Sequence, residues 1–253
     1  ILPDRLCDEY FALLDRRAEG IPLQYITGVQ EFMGLEFKVS DKVLIPRQDT
    51  ETLVEDAIEI IEKNTLRGEP VLAKAKKDWD ILDLCCGSGA IGLSLAKLCR
   101  NVKVTCADIS GEALAVAREN REKLSAGKVD FQQGNLLEPF RGRFRNKKFD
   151  MIISNPPYIE SDVIPTLQRE VRDHEPMEAL DGGADGLDFY RAIVSDAASC
   201  LKKNGVLMFE IGYNQKEQVL GLLRETGNFE KITGLCDLAG KDRIVAAVLS
   251  KKQ

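Results

Sequence analysis

The sequence has little of what marks several functional classes: one histidine, one tryptophan and no excess of positive charge. Its 253 residues include 35 Lys and Arg against 41 Asp and Glu, which gives a formal net charge of −6. A nucleic-acid-binding domain usually carries a basic surface, so this balance gives no strong sign of a nucleic-acid partner. The single histidine, His174, is expected at the surface or at a helix end rather than as a catalytic base.

Positive charge is concentrated only locally, at residues 141–148 and 74–77. We expect both clusters to be solvated loops before strands, although the first could also dock an RNA-bearing or acidic partner.

Disulfide, zinc and membrane patterns are also lacking. The seven cysteines are odd in number, and Cys85 and Cys86 are adjacent at the end of an apolar run, so we expect reduced thiols used as small core residues. No apolar run is long enough to cross a membrane, and no targeting segment is recognisable. We therefore expect a soluble, cytoplasmic monomer with no metal site and no membrane partner.

The segment Asn155-Pro156-Pro157-Tyr158 follows the apolar run Met151-Ile152-Ile153, so it lies just past the end of a predicted buried strand. The prolines remove two backbone N–H donors, and Asn155 adds a side-chain carbonyl to the backbone acceptors. Such a pocket suits a planar group that carries an NH2, with Tyr158 stacked on its plane. The alternative is a tight turn that merely ends the strand.

A glycine-rich loop follows an earlier apolar run, Trp79–Leu84. Gly87, Gly89 and Gly92 fit the spacing G-x-G-x-x-G between a strand and a helical pattern, which is the context of a nucleotide-binding loop. The next apolar run ends at Asp108, about 20 residues further on, where an acidic residue can bind both hydroxyls of a ribose. The pattern predicts a cofactor that contains adenosine.

Both a dinucleotide and S-adenosylmethionine present such a ribose. Asp83, just ahead of the loop, would repel a pyrophosphate but suits the cationic amino-acid end of S-adenosylmethionine, although it could also serve only as a cap. Asn155-Pro156-Pro157-Tyr158 has no evident role in hydride transfer, whereas it can present a nitrogen to a methyl group. We favour methyl transfer; a nucleotide-binding dehydrogenase or a non-catalytic cofactor-sensing module is the alternative from another class.

Strand and helix patterns alternate from Trp79 onward, which predicts an α/β fold with an open, mostly parallel sheet covered on both faces. Segments around 229–235 and 243–249 could close the sheet with an antiparallel hairpin. Ligands of such sheets bind at the carboxyl ends of the strands, where Asp83, Asp108, Asn135 and Asn155 are all expected.

Upstream of this region the patterns are shorter. We predict a helix over Leu6–Ala18, a hairpin within Ile26–Val39, a helix over Thr50–Lys63 and a polar connection over Glu69–Lys77.

With these residues in hand, the sequence resembles the HemK-type protein-(glutamine-N5) methyltransferases that modify bacterial peptide chain release factors. The resemblance covers about Arg16 to Asp242. Besides the glycine loop and Asn155-Pro156-Pro157-Tyr158, it is carried by Pro22-Leu23-Gln24-Tyr25-Ile26-Thr27-Gly28, Glu31-Phe32-Met33-Gly34, Leu44-Ile45-Pro46-Arg47-Gln48-Asp49-Thr50-Glu51, Glu175-Pro176, Ala179-Leu180-Asp181-Gly182-Gly183, Asp185-Gly186-Leu187 and Tyr190-Arg191.

This resemblance implies a Rossmann-like class I methyltransferase: an open seven-stranded, mostly parallel sheet with a C-terminal antiparallel strand and a truncated helical N-terminal segment. The expected divisions are residues 1–27 as the remnant of a helical substrate-binding domain, 28–45 as a β-hairpin linker and 46–253 as the methyltransferase domain.

The resemblance also implies three sets of site residues. The catalytic set is Asn155, Pro156 and Tyr158. The set that binds S-adenosylmethionine is Asp83, Cys85, Gly87, Ser88, Gly89, Asp108, Ile109, Asn135, Leu136 and Asn155. The substrate-binding set is Asn155, Pro156, Pro157, Tyr158, Arg47 and Glu175.

Two residues depart from the family pattern. Gln48 stands where the family usually has Pro, and Asn135 stands where an Asp commonly accepts from the adenine amino group. Because Asn135 can still accept through its carbonyl oxygen, we expect adenine recognition to be weakened rather than abolished.

The implied reaction transfers a methyl group from S-adenosylmethionine to the side-chain amide nitrogen of the glutamine in the Gly-Gly-Gln motif of release factors. Asn-Pro-Pro-Tyr is shared with adenine and guanine amino-methyltransferases, so a DNA or RNA amino-methyltransferase acting on an exocyclic NH2 is the alternative. The acidic balance and the lack of an added target-recognition domain count against it.

Overall fold

A computed structural model describes residues 4–72, 74–141 and 147–250. Most of the predicted basic cluster 141–148 lies outside this part, at residues 142–146. The helices and strands, in chain order, are α1 (Asp4–Ala18), α2 (Leu23–Thr27), β1 (Val29–Phe32), β2 (Leu35–Lys38), α3 (Gln48–Lys63), β3 (Thr65–Leu66), β4 (Glu69–Pro70), β5 (Trp79–Leu84), α4 (Ala90–Leu98), β6 (Val102–Asp108), α5 (Gly111–Leu124), β7 (Val129–Gln133), β8 (Phe149–Ser154), α6 (Arg169–His174), α7 (Asp188–Cys200), β9 (Leu201–Glu210), α8 (Lys216–Glu225), β10 (Phe229–Cys236) and β11 (Asp242–Leu249).

Seven strands within the described ranges form one sheet in the order β10-β11-β9-β8-β5-β6-β7. Strands β5 to β9 pair in parallel, and β11 runs antiparallel to both of its neighbours. Every residue of β8 is buried, as expected for a parallel strand that is covered on both faces. The predicted open, mostly parallel sheet and its closing antiparallel hairpin are confirmed.

Side chains of the central strand β5 alternate between two apolar layers, because successive residues of a strand point to opposite faces. Ile81 lies in one buried cluster with Leu53 of α3, and Leu82 lies in another with Tyr190 of α7. Helices therefore cover both faces, which leaves the strand ends as the place for a ligand.

The predicted N-terminal hairpin is formed by β1 and β2. Its turn residues Met33 and Gly34 have φ values of 54° and 69°, as the commonest two-residue hairpin turn requires. The buried side chain of Asn120, on α5, accepts from the Lys38 N–H at 2.6 Å and donates to the carbonyls of Lys38 and Ser88, each at 3.0 Å. These bonds tie the hairpin to the glycine loop.

Helices α1 and α3 each begin two residues before their predicted starts, and two strand regions extend beyond what the apolar pattern of the sequence indicates. Glu69–Pro70 pairs with Thr65–Leu66 inside the segment that was expected to be only a polar connection. Strand β9 begins at Leu201, before the apolar run that starts at Val206. Its polar start is stabilised because Lys202 Nζ lies 2.8 Å from Asp150 Oδ2 in the neighbouring strand.

The chain between β8 and α7 forms short helices that the sequence did not predict: α6 and the 3-10 turns Ile164–Thr166 and Met177–Ala179. They are too short to show a helical periodicity in the sequence. His174 is the last residue of α6, which confirms its expected position at a helix end.

The cysteines are free thiols, and Cys86, Cys99, Cys106 and Cys200 are buried as small core residues. Within the described ranges, no three or more His, Cys, Asp or Glu side chains are grouped as a metal site would require. The same part of the chain contains no helix of the length and apolar character needed to span a membrane.

Candidate active site

A cavity of about 340 Å³ opens at the carboxyl ends of β5, β6 and β8. The predicted site residues that line it are Cys85, Gly87, Asp108, Ile109, Asn135, Leu136, Asn155 and Pro157. The carboxyl ends of the parallel strands therefore bring together side chains from four separate segments of the chain, as predicted.

The glycine loop is joined to the end of the neighbouring strand β6. The Gly87 N–H donates to Asp108 Oδ2 at 2.8 Å, and the Ser110 N–H donates to Asp108 Oδ1 at 2.9 Å. Gly89 has a φ of 79°, and a Cβ there would lie 2.9 Å from the Leu93 side chain, so only glycine fits the start of α4. Burial raises the pKa of Asp108, while the backbone hydrogen bonds oppose the rise.

Asp83 does not line this cavity. Its side chain is fully buried behind the loop, where Oδ2 accepts the Gly92 N–H at 2.8 Å and Oδ1 has no hydrogen-bond partner among the described residues. Burial raises its pKa to about 7. In this structure Asp83 holds the first turn of α4, and its expected contact with the amino-acid end of a cofactor stays a prediction.

Ser88 and Gly89 likewise belong to the loop without lining the cavity, and Ser88 is buried. The Ser88 carbonyl accepts from Asn120, so this part of the loop faces the protein interior.

Asn135 lies at the cavity wall after β7. Its Nδ2 donates to Glu138 Oε1 at 3.3 Å, which leaves its Oδ1 as the acceptor of the amide. Leu136 follows with a φ of 45°, so the backbone turns sharply where the wall forms. This arrangement has the acceptor that an adenine amino group requires.

Asn155-Pro156-Pro157-Tyr158 is fixed at both of its ends. Ser154 Oγ, just before it, donates to the Leu84 carbonyl at 2.6 Å, and the Tyr158 carbonyl accepts from Gln215 Nε2 at 3.0 Å. Asn155 and Pro157 line the cavity, whereas Pro156 is buried beside it.

Tyr158 points its hydroxyl into the protein rather than toward solvent. The hydroxyl donates to Glu210 Oε1 at 3.4 Å, and the ring packs against the apolar cluster of α7 and β9. Burial and the nearby carboxyl of Glu210 raise the pKa of Tyr158. Its expected stacking on an acceptor group stays a prediction.

The motif around Gly182 packs directly against this segment. The Gly182 N–H donates to the Ile159 carbonyl at 2.8 Å, and a Cβ on Gly182 would lie 2.7 Å from Tyr158 Cα. The chain at 179–183 therefore has to carry glycine where it supports Tyr158.

Comparisons with known proteins bear on this site. A family model described as a methyltransferase domain matches residues 75–245, and one described as a PrmC N-terminal domain matches residues 1–28. The release factor glutamine methyltransferase of Clostridium acetobutylicum is 44% identical over 242 residues, which cover 95% of this chain and 79% of that protein. The protein of the same description from Moorella thermoacetica is 45% identical over 94% of this chain and 78% of its own length.

The chain belongs to the release factor glutamine methyltransferase family.

Solved structures support the fold of this family member. A T. thermophilus 16S rRNA N2 G1207 methyltransferase in complex with AdoMet and guanosine matches with a TM-score of 0.56 and 18% identity over 87% of this chain and 49% of that one. A methyltransferase from Pyrococcus furiosus matches with a TM-score of 0.55 and 19% identity over 86% and 90%. At this identity the likeness shows the class of fold alone.

The two further substrate-binding residues that the family resemblance implied pair with each other. Arg47 Nη2 lies 2.8 and 2.7 Å from the two carboxylate oxygens of Glu175, whose side chain is only 1% exposed. Burial raises the pKa of Glu175, while Arg47 opposes the rise. Neither lines the cavity, although Pro176 does, so the pair supports the wall and a direct contact with substrate stays a prediction.

Gln48, the departure beside Arg47, is the first residue of α3. Proline is well tolerated at this position because the N–H of a first helical residue has no partner within the helix. The fold therefore accepts either residue here.

The sequence did not predict two residues beside the site. Glu210 lies next to Tyr158, and Thr50 lies next to Asn155. Glu210 is the last residue of the apolar strand β9, so the expectation that site residues lie at the carboxyl ends of the strands also applies to it. Thr50 comes from α3, and no local signal in the sequence places it beside Asn155. Further wall residues that were not predicted as site residues are Lys42, Val43, Leu44, Leu84, Ala107, Ser110, Ala113, Gly134, Pro176, Glu178, Ala179, Asp181 and Phe189.

Proposed function

We propose that this chain transfers a methyl group from S-adenosylmethionine to the side-chain amide nitrogen, N5, of the glutamine in the Gly-Gly-Gln motif of peptide chain release factors. The observation that carries the proposal is the position of Asn155 at the cavity that Asp108 and the glycine loop also line. A nitrogen held by Asn155 would therefore lie next to a cofactor in that cavity. Membership of the release factor glutamine methyltransferase family supports the choice of acceptor.

The cavity has the groups that S-adenosylmethionine requires. The carboxylate of Asp108 suits the two ribose hydroxyls, and Asn135 offers an acceptor to the adenine amino group. The backbone of Gly87 allows close approach because no side chain stands there. When bound, S-adenosylmethionine supplies a methyl group on a positively charged sulfur.

An amide nitrogen is a weak nucleophile because its lone pair is delocalised into the carbonyl. We infer that Asn155 Oδ1 and the Pro156 carbonyl accept its two hydrogens and hold the nitrogen toward the cavity. Positioning of this kind can lower a barrier by roughly 7–11 kcal/mol in favourable cases. As the N–CH3 bond forms, the S–CH3 bond would break and S-adenosylhomocysteine would be the leaving group. One of the two hydrogens then leaves the nitrogen as a proton to solvent, and the amide is neutral again.

We propose that Tyr158 forms one side of the pocket for the acceptor amide. With its hydroxyl held by Glu210, the ring cannot turn freely, and we propose that it packs against the plane of the acceptor amide.

The division of the chain follows from the same proposal. We propose that residues 1–27 belong to a substrate-binding domain, that 28–45 form a hairpin linker and that 46–253 form the methyltransferase domain. The hairpin β1–β2 separates α1 and α2 from α3, which is consistent with these boundaries.

The test is transfer of a labelled methyl group from S-adenosylmethionine to a purified release factor. We expect label on the release factor and none on a variant whose Gly-Gly-Gln glutamine is replaced by alanine. DNA and RNA serve as rival acceptors, and label on either one instead of the protein would favour a nucleobase as the acceptor.

Asn155→Ala examines the site itself. It should abolish transfer while the dissociation constant for S-adenosylmethionine, measured by calorimetry, changes little. Retained turnover would refute the role given to Asn155.

A further inference from the structure

The side-chain amide of Asn155 has an oxygen end and an NH2 end. Only the oxygen end suits the NH2 group that is to receive the methyl group. An acceptor NH2 needs the carbonyl oxygen, because the NH2 end of Asn155 would repel it. In the structure Asn155 Nδ2 donates to Thr50 Oγ1 at 3.3 Å. Thr50 is 4% exposed and lies in the first turn of α3, so this contact is sheltered from water.

Thr50 also lies close to Glu210. The carboxyl of Glu210, 1% exposed at the end of β9, accepts from the Tyr158 hydroxyl at 3.4 Å, and the nearby Thr50 hydroxyl lowers the pKa of this carboxyl. Its Oε2 has no hydrogen-bond partner among the described residues that meets ordinary geometry. Glu210 thus contacts Tyr158 directly, and Thr50, which contacts Asn155, lies close to Glu210.

The charges around Glu210 come from two other elements. Arg243 of β11, 8% exposed, lowers the pKa of Glu210, whereas Asp49 of α3 raises it. Arg243 Nη2 lies 3.1 Å from Asp49 Oδ2, and its Nε lies 3.3 Å from Asp237 Oδ2. Its positive charge is therefore shared with these two carboxylates as well as with Glu210.

We propose that Glu210 and Thr50 are positioning residues that set the orientation of the Asn155 amide. This inference rests on the proposed function and adds to it what determines the geometry of the acceptor pocket. An ionised carboxylate only accepts hydrogen bonds, so the Thr50 hydrogen points to Glu210 and an Oγ1 lone pair faces Asn155. Asn155 then donates to Thr50 through Nδ2, and its Oδ1 is left for the acceptor amide.

The test compares kcat, the KM for release factor and the dissociation constant for S-adenosylmethionine in wild type, Thr50→Val and Glu210→Gln. Burial raises the pKa of Glu210 to about 7, so the assays are run at pH 8, where the carboxyl is ionised. We expect each variant to lower kcat by roughly 10- to 100-fold, because a small misplacement of a positioning group has effects of this size. The affinity for S-adenosylmethionine should stay within about twofold of wild type.

Thr52→Val is the matched control, since it makes the same change on the same buried helix two residues away. It should leave kcat unchanged. Thr50→Ser keeps the hydroxyl and should recover most of the activity that Thr50→Val loses. A Thr50→Val enzyme with kcat within twofold of wild type, or equal losses in Thr50→Val and Thr52→Val, would overturn the proposal.

The double variant Thr50→Val/Glu210→Gln separates one shared role from two independent ones. If both residues act through the Asn155 amide, the double variant loses no more kcat than the more severe single variant. Losses that multiply would overturn the proposal.

A spectroscopic readout does not depend on the acceptor. The side-chain NH2 resonances of Asn155 in ¹⁵N-labelled protein are assigned by their loss in Asn155→Ala. Thr50→Val should shift them, and Thr52→Val should not; resonances unchanged in Thr50→Val would contradict the inferred contact. If wild type transfers no methyl group to release factor, the proposed function fails, while these resonances still decide the orientation of Asn155.

Discussion

The Gly87 N–H donates to Asp108 Oδ2 across 2.8 Å, and this bond joins the glycine loop after β5 to the end of β6. Both residues line the cavity, so the same carboxylate shapes the loop and lies at the space that we propose for a ribose. A change at Asp108 should therefore affect cofactor binding before it affects the acceptor site.

Asp108→Asn should lower the affinity for S-adenosylmethionine by about tenfold or more. A hydrogen bond to a charged group stabilises a protein by about 1.5–3 kcal/mol, and the neutral side-chain amide of the Asp108→Asn variant is a weaker acceptor for the Gly87 N–H than the carboxylate is. Calorimetric titration measures the effect. Asp130→Asn is the control, because Asp130 is exposed on β7 and lies outside the cavity; equal affinities in the two variants would contradict the role of Asp108.

Gly182→Ala should destabilise the protein by about 1–3 kcal/mol, because the new methyl group would press on the Tyr158 backbone. Methyl transfer should fall with it, since Tyr158 would be displaced. Gly221→Ala in α8 is the opposite control: apart from its chain neighbours and the backbone of its own helix, no atom lies within 4 Å of the added Cβ, and alanine favours a helix by about 0.8–1 kcal/mol. Thermal unfolding measures the stability of both variants. If Gly182→Ala is as stable as wild type, the segment can shift to make room for the methyl group.

Glu210 should make stability depend on pH. Burial raises its pKa from 4.5 to about 7, so the folded protein binds this proton more tightly than the unfolded chain does. Its contribution to the free energy of unfolding is then fully present below about pH 4.5 and is lost as pH rises to about 7, a change of roughly 3 kcal/mol.

Urea unfolding of wild type and Glu210→Gln between pH 4.5 and 7.5 isolates this contribution. As pH rises, the unfolding free energy of wild type should fall relative to that of Glu210→Gln. Other buried carboxyls, such as Asp83, titrate in both proteins and cancel in the difference. Parallel curves would mean that Glu210 does not titrate in this range.

Arg47→Ala should destabilise the protein more than Glu175→Gln does. Removing Arg47 leaves a buried carboxylate without its partner, whereas the glutamine variant leaves a half-exposed guanidinium that water can solvate. Urea unfolding at pH 7.5 measures both. Arg5→Ala breaks an exposed ion pair with Glu9 and should change stability by less than about 0.5 kcal/mol.

The sequence predicted the sheet and the positions of Asp108, Asn135 and Asn155 because each follows a short run of residues with the pattern of a strand. In a parallel sheet the ends of such runs share one edge, so a local pattern is enough to bring these residues together. The same rule also pointed to Asp83, but it could not tell which way that side chain turns. Asp83 faces the core because the Gly92 N–H at the start of α4 lies there.

The sequence by itself determined the alternation of the main strands and helices from Trp79 onward, the glycine loop and the polar residues near the ends of the parallel strands, since these depend on neighbours along the chain. Only the tertiary structure decided that Thr50 lies beside Asn155, 105 residues away, and that Arg47 pairs with Glu175, 128 residues away. Such contacts depend on how α3 crosses the sheet and how the segment after β8 folds back. That packing is set by the whole core, and no local periodicity encodes it.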